Sequence, residues 1–538
     1  MNQIKNVLIV AGGKNTRFKE MSIFPKVLLP MIQWPSILTY DVHKFSEQGA
    51  KVHLVINESY YEMVKDYVEN NKIDVEIILS SNCNGSSNTL KSVKDQLPKE
   101  DTLVIWSDLI LSFDGIDKIF EDIVKTTEDY IVFTKDGKYR CRFTERGLVN
   151  VENTNDGNVP GIYYYKSIPP FAYDEENFPN FDLVEYLDAI PAIYSQTKQV
   201  GVIPYVGDIT EFRDLNTYLK YYYDRPEFDQ KKTRFFNSIT LNEDMDGYKT
   251  IIKKCIDPSF NHLIDKEIDW YSKVANLNLN CIPKIRKTSK EEHMIEMEYL
   301  EDYYPVHIFL REAKKEELKD FFDSYFNAIE ELHSTECRDI PKQDVVQDCE
   351  VEFYSKVLVR CNAIKHMLVN YNALDLDLTL SEATNIIVNS GIMDKNYPYG
   401  KYWFTHGDLN GSNAMYNPET KEIKFIDPRG YFGKTTMSGL KEYDYAKVLY
   451  CLTGYDDFNL EPYVFTSKEY SEPKMLVDLE DLPEKLNDPI LKLMVGIIWV
   501  ALAQYIGQDI FKANIAYNHG MKMLHNALKE YHERGEQQ

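Results

Sequence analysis

Short apolar runs alternate with amphipathic stretches along the first two hundred or so residues. Val7–Val10, Val52–Ile56, Val75–Leu79 and Leu103–Trp106 are short and mostly rich in β-branched residues, as buried strands are. Between them, Trp34–Gln48 and Glu58–Asn70 repeat apolar positions at helical spacing. Strand and helix in alternation predict an α/β fold, a parallel sheet with helices on both faces. After about Tyr223 the texture changes, and the charged, Pro-containing stretch Asp224 to Lys232 reads as a linker. The expected division is a domain over 1–223, a linker over 224–244 and a second domain over 245–538. In the second, strand candidates Thr250–Ile256 and Met294–Leu300 precede the long helical patterns Glu316–His333, Asp348–Val369 and Pro489–Glu533.

Composition narrows the function classes. At 538 residues the chain exceeds one ordinary domain of about 100–200 residues. Its 43% hydrophobic and 27% charged residues suit globular cores. The formal net charge of −24 repels nucleic-acid phosphates and anionic lipid, so neither nucleic acid nor membrane is an expected partner. Anionic nucleotides then have to be held by local Lys, Arg, backbone N–H groups and metal ions. The eight cysteines are scattered without a C-x-x-C pair, as expected of reduced thiols. Val7–Ala11 reads as a first strand and not a leader, and Leu493–Ala503 as a buried helix too short to span a bilayer. The expectation is a cytoplasmic protein whose oligomeric state is open.

The first chemical signal follows the first strand. Ala11-Gly12-Gly13-Lys14-Asn15-Thr16-Arg17 leads into Phe24-Pro25-Lys26-Val27-Leu28-Leu29-Pro30. A Gly-rich turn after a strand lets backbone N–H groups approach a triphosphate, and Arg17 and Lys26 can neutralise charge on the phosphates being exchanged. Leu103–Asp108 is an apolar run ending in an acid at a strand C-terminus, where α/β sheets place ligands.

This segment resembles the nucleotidyltransferases that make nucleotide sugars and CDP-alcohols, over about the first 220 residues. The departure is Asn15, where the family usually has glycine; Asn is well tolerated at positive φ. The resemblance implies a Rossmann-like, GT-A type domain with nucleotide contacts at Gly12, Gly13 and Asn88 and catalysis by Arg17 and Lys26. It also implies Mg²⁺ on Asp108 and a second acid. Asp214 fits that place, ahead of a helix capped by Asn216 or Thr217, with Asp208 and Glu211 as competitors. Pro160–Tyr164 looks like the strand beside a phosphorylated substrate, with Asp182 and Glu185 facing its hydroxyl or amine groups. An aromatic core strand and a solvated helix are the plainer alternative.

The second signal is His406-Gly407-Asp408-Leu409-Asn410-Gly411-Ser412-Asn413, followed by Phe425-Ile426-Asp427-Pro428-Arg429-Gly430. Phosphoryl transfer from ATP needs an acid to orient the acceptor hydroxyl, and an amide and a second acid for Mg²⁺. Asp408, Asn413 and Asp427 supply these in order. The residues resemble the aminoglycoside phosphotransferase and choline kinase group over about residues 245 to 530, which implies an α+β, protein-kinase-like fold. Asp444 matches a family acid that buttresses the catalytic loop. Lys253 is the expected nucleotide-binding lysine, with Lys254 as runner-up and Glu267 as its ion-pair partner. Met297–Leu300, with Glu298, looks like the hinge that meets adenine. No clear Gly-rich loop over the phosphates is evident, and Trp403 with several Tyr residues is offered for the acceptor.

Together the two resemblances imply a bifunctional enzyme. ATP phosphorylates a small-molecule acceptor, and an NTP, CTP favoured by analogy with fusions serving surface glycans, activates a phosphorylated compound. Two other readings stay open: a small-molecule kinase with an inactive transferase domain used for binding, and a protein kinase or interaction module.

Overall fold

The computed structural model describes residues 2–31, 33–82, 86–136, 141–144, 147–150, 158–166, 200–223, 237–390 and 398–536. The N-terminal part is built on a seven-stranded sheet in the order Val200–Pro204, Tyr130–Thr134, Ile162–Tyr165, Thr102–Trp106, Asn6–Ala11, Lys51–Asn57, Glu76–Ser80. Each of the four predicted runs is one of these strands, within two residues. Alternate side chains fill opposite faces, as a pleated strand requires when both faces are covered. Val7, Ile9, Leu103 and Ile105 join one core, and Leu8, Val10 and Val104 the other.

The sheet is not wholly parallel. Ile162–Tyr165 runs antiparallel between Thr102–Trp106 and Tyr130–Thr134. The first strand pairs parallel with both Lys51–Asn57 and Thr102–Trp106. Because Val10 registers with Trp106, the chain leaves the sheet at Gly12 and at Asp108 side by side, at the carboxyl edge.

The C-terminal part opens with a four-stranded antiparallel sheet, ordered Asn237–Glu243, Lys249–Cys255, Met294–Glu298, Ile285–Ser289. Its first strand lies inside the expected linker, so the linker reading over 237–243 is corrected; residues 224–236 lie outside those described. The missed signal is Asp246-Gly247 between alternating apolar residues, a hairpin turn in which Asp244 Oδ1 accepts the N–H groups of Asp246 and Tyr248.

A mostly helical region follows. Lys315–Ser334 forms as the pattern predicts. The stretch read as Asp348–Val369 is instead Lys342–Glu350, a π-helical turn Val351–Ser355, and Lys356–Ala363. Pro489–Glu533 is two helices, Pro489–Tyr505 and Ile510–Glu536. The break falls at Gly507, after which the Asp509 carboxylate accepts the N–H groups of Phe511 and Lys512 as a new N-cap. Leu493, Val495, Trp499 and Ala503 are fully buried, and no helix among the described residues is long and apolar enough to cross a membrane.

The two parts share a packed seam. Phe24 meets Phe465 and Phe511, and Tyr218 and Tyr222 also pack on Phe511. Tyr67 Oη donates to the Gln508 carbonyl at 2.7 Å, and Tyr222 Oη to that of Tyr463 at 3.1 Å.

Candidate functional site

Around the carboxyl edge of the N-terminal sheet, the glycine turn packs on the helix Ser86–Ser92. A side chain at Gly12 would collide with Thr89, so only glycine lets the strand end approach that helix. Asn88 precedes Thr89 on the same helix. Asp182 and Glu185 lie outside the described residues. Asn15 adopts the left-handed conformation expected of it, with φ 52°, and its side-chain amide donates to the Phe24 carbonyl at 3.2 Å. That bond ties the turn to Pro25-Lys26. Gly13 and Arg17 are exposed, and Arg17 has no ion pair among the described residues.

Lys26 is turned inward. Its Nζ lies 2.9 Å from Asp108 Oδ2 and donates to the Phe212 carbonyl at 3.0 Å. The strand Ile209–Glu211 pairs with Leu109–Leu111 so that Glu211 stands opposite Leu109, next to Asp108. Burial raises the Glu211 carboxyl above its ordinary range; Arg213 opposes this, and the Asp108 charge adds to it. Asp214 has a different task. Its carboxylate accepts the Thr217 N–H at 2.9 Å, which holds its pKa below the ordinary value, and its own N–H donates to Thr217 Oγ1 at 3.2 Å. Asp214 is therefore the cap of the helix Leu215–Tyr223, and the expectation of Asn216 or Thr217 as cap is corrected: both stand inside the first turn.

In the C-terminal part, the hairpin Ala414–Asn417/Glu422–Phe425 connects Asn413 to Asp427. Lys253 stands on the strand paired to both Asn237–Glu243 and Met294–Glu298. Its ammonium meets both Glu267 carboxylate oxygens at 3.0 and 2.8 Å and Asp427 Oδ1 at 2.8 Å. Burial alone would lower the Lys253 pKa, but the Asp427 and Glu267 charges reverse it and hold the ammonium. Asp427 sits at φ 57°, an uncommon conformation for a non-glycine residue.

Asp408 is held from several sides. Asn413 Nδ2 donates to its carbonyl at 2.9 Å and to Oδ2 at 3.3 Å, and Lys447 Nζ lies 3.0 Å from Oδ1. Burial opposes ionisation, yet the Lys447 ammonium outweighs it and the Asp408 pKa falls below its usual value. Two buried carboxylates fix the surrounding backbone. Asp444 accepts the N–H groups of His406 and Gly407 at 3.0 and 2.7 Å; Asp456 accepts those of Gly411 and Ser412 at 3.0 and 3.1 Å. A methyl group at Gly411 would lie 2.5 Å from Cys451 Sγ and 2.8 Å from His307 Cβ, so this loop is packed to contact.

The Glu298 N–H donates to the Lys284 carbonyl at 3.0 Å and its carboxylate accepts the Lys284 N–H at 2.8 Å. Trp403 does not join the Asp408 cluster; it pairs in register with Cys337 and Gly439, with Lys441 over its ring at 4.9 Å. Lys447, Asp456 and the buried Arg429–Glu352 pair, with two contacts of 2.8 Å, were not foreseen. Lys447 alone left a signal, three residues after Asp444 and hence on the same helix face.

Both carboxylate sets suit a hard cation. Asn413 spends its amide N–H on Asp408, which fixes the amide so that its oxygen is left for another ligand, while Asp427 and Asp108 each already face an ammonium.

Residues 6–163 match the nucleotidyl transferase family. No curated protein matches the chain. Among solved structures, an inositol-1-phosphate CTP transferase from T. maritima is similar at 10% identity and a TM-score of 0.34, covering 40% of this chain and 93% of its own. A UDP-glucose pyrophosphorylase from Acinetobacter baumanii is similar at 15% identity and a TM-score of 0.34, covering 41% and 92%. The N-terminal part of this chain is a nucleotidyl transferase domain.

Proposed function

We propose that the chain is a bifunctional enzyme with a second, ATP-dependent phosphotransferase site in its C-terminal part. There, the hydroxyl oxygen of a small-molecule acceptor attacks the γ-phosphorus of ATP, the bond to the β-phosphate oxygen breaks, and ADP leaves. In the N-terminal domain, an oxygen of a phosphorylated small molecule attacks the α-phosphorus of an NTP, and pyrophosphate leaves. CTP is the favoured NTP, and the CDP-linked product suits surface-glycan assembly; both preferences rest on analogy.

The observation that carries the second activity is a pair of contact sets, Lys253 with Glu267 and Asp427, and Asp408 with Asn413, whose segments are joined by the Ile426 N–H bond to the Asn413 carbonyl at 2.9 Å. Asp408 accepts the hydrogen bond of the attacking hydroxyl and takes its proton. Lys253, steadied by Glu267, offers charge to the ATP phosphates. Asp427 and Asn413 would hold Mg²⁺ there, which supplies charge neutralisation of the phosphates when bound. The adenine contact falls to the backbone of the hinge Met297–Leu300, with Glu298 in it. In the first site Lys26 and the exposed Arg17 neutralise the triphosphate, and Asp108 with Glu211 or Asp214 would hold Mg²⁺.

The test is a two-stage assay. Purified protein is offered ATP with a panel of small alcohols, amines and sugars, and each phosphorylated product is then offered CTP, UTP, GTP or dTTP. ADP in the first stage and pyrophosphate in the second are expected for one acceptor. No ADP with any acceptor overturns the phosphotransferase half, and no pyrophosphate with any NTP leaves the N-terminal domain a binding module.

A further inference from the structure

Lys447 has no role in the reaction as written above. It stands on the helix Lys441–Leu452, three residues after Asp444, in a shell where it is only 8% exposed. Its sole polar partner among the described residues is Asp408 Oδ1, at 3.0 Å. The rings of Tyr443 and Tyr450 flank the ammonium at 5.8 and 5.2 Å, contacts that stabilise the charge without using its donors. An ammonium has three N–H donors, so two remain beyond the Asp408 bond. The same helix face thus fixes the loop backbone through Asp444 and the Asp408 side chain through Lys447.

We propose that Lys447 is a positioning residue for phosphoryl transfer: it fixes the rotation of the Asp408 carboxylate and offers a donor to the phosphoryl group as it moves to the acceptor. Oδ1 is engaged by Lys447 and Oδ2 by Asn413, so the carboxylate plane is set before an acceptor arrives. An acceptor hydroxyl then meets an oriented acceptor atom, which is where most of the catalytic gain of this reaction class lies. The proposal rests on the phosphotransferase reading above.

The test is ADP formation by the full chain as wild type, K447M, K447R, D408N and the D408N/K447M double variant, with ATP and acceptor varied separately. K447M is expected to lower kcat on the order of 100-fold while the KM for ATP moves less than about 3-fold, and K447R to recover part of the loss. In the D408N background, K447M is expected to cost less than about 3-fold more, because the two side chains act as a unit. Wild type without ADP overturns the reading and the inference together. Wild-type activity with an unchanged K447M overturns the inference alone. Full additivity of the two losses, or a K447M loss accompanied by an equal loss of pyrophosphate release and of thermal stability, also overturns it and makes Lys447 structural.

Discussion

At the edge of the N-terminal sheet the functional groups come from a turn, a strand end and a loop. Arg17 is exposed there, Asp214 caps a helix, Lys26 pairs with Asp108, and Glu211 pairs with the half-exposed Arg213. Around Asp408 the acid, the amide, the lysines and the loop backbone are each engaged before any ligand binds, and Asp444 and Asp456 secure the loop from beneath. On the proposed reading, the first arrangement leaves much of its electrostatics to be completed by the nucleotide. The second is preorganised, which is how a site lowers the reorganisation cost of phosphoryl transfer. The difference teaches where mutation should be felt: at single side chains in the C-terminal site, and at ligand-dependent order in the N-terminal one.

The sharpest way to break that comparison is Asp408→Asn. ADP formation is expected to fall by about 10²–10⁴-fold with pyrophosphate release untouched, measured on one preparation. An equal loss at both sites would mean that the two are not separate.

The seam between the parts sharpens the comparison next. Phe511 is fully buried and contacts Phe24, Tyr218 and Tyr222, close to the Pro25-Lys26 segment. Phe511→Ala is expected to cost about 3–5 kcal/mol in denaturant unfolding. It should weaken the transferase more than the phosphotransferase, because Asp444 and Asp456 hold the backbone of the other loop, while Phe511 packs on Phe24, next to the Lys26 segment.

Glu211→Gln and Asp214→Asn separate the two candidate acids. Glu211→Gln is expected to reduce pyrophosphate release about 10-fold or more and to raise the Mg²⁺ requirement. Asp214→Asn keeps a side-chain oxygen for the cap, so helix stability should change by less than about 1 kcal/mol. Reversed effects in a magnesium titration would reassign the second acid to Asp214.

A pH dependence of stability, with no effect on either chemistry, is expected away from both sites. His519 is buried against Trp499 with neither ring nitrogen hydrogen-bonded, and burial lowers its pKa from 6.5 to about 4. Between those values the unfolded chain binds a proton that the folded chain refuses, so stability falls as pH drops through the window. The loss is up to about 3 kcal/mol, and His519→Phe should flatten it in urea unfolding at pH 7 and pH 5.

Much of this was legible because it was local. The strand pattern, the Asn15 turn and the run from His406 to Asn413 each lie within a few residues, where period and spacing carry the information. What escaped depended on contacts between distant segments. That Glu211 stands beside Asp108 depends on Ile209–Glu211 pairing with Leu109–Leu111, which no local spacing announces. The break at Gly507 was hidden because apolar residues continue on both sides of it, at Leu502–Ala503 and Ile510–Phe511. Asp456 lies more than forty residues from the loop it holds, and no sequence spacing points from one to the other.

The central claim is that two independent nucleotide chemistries share one chain, and the most direct measurement is a crossed assay. ADP formation and pyrophosphate release are followed for wild type, Asp108→Ala and Asp408→Ala under identical conditions. The account predicts that Asp108→Ala removes only pyrophosphate release and Asp408→Ala only ADP formation. If either variant removes both, or if wild type shows one product alone with every acceptor and NTP tried, the two-site account is contradicted.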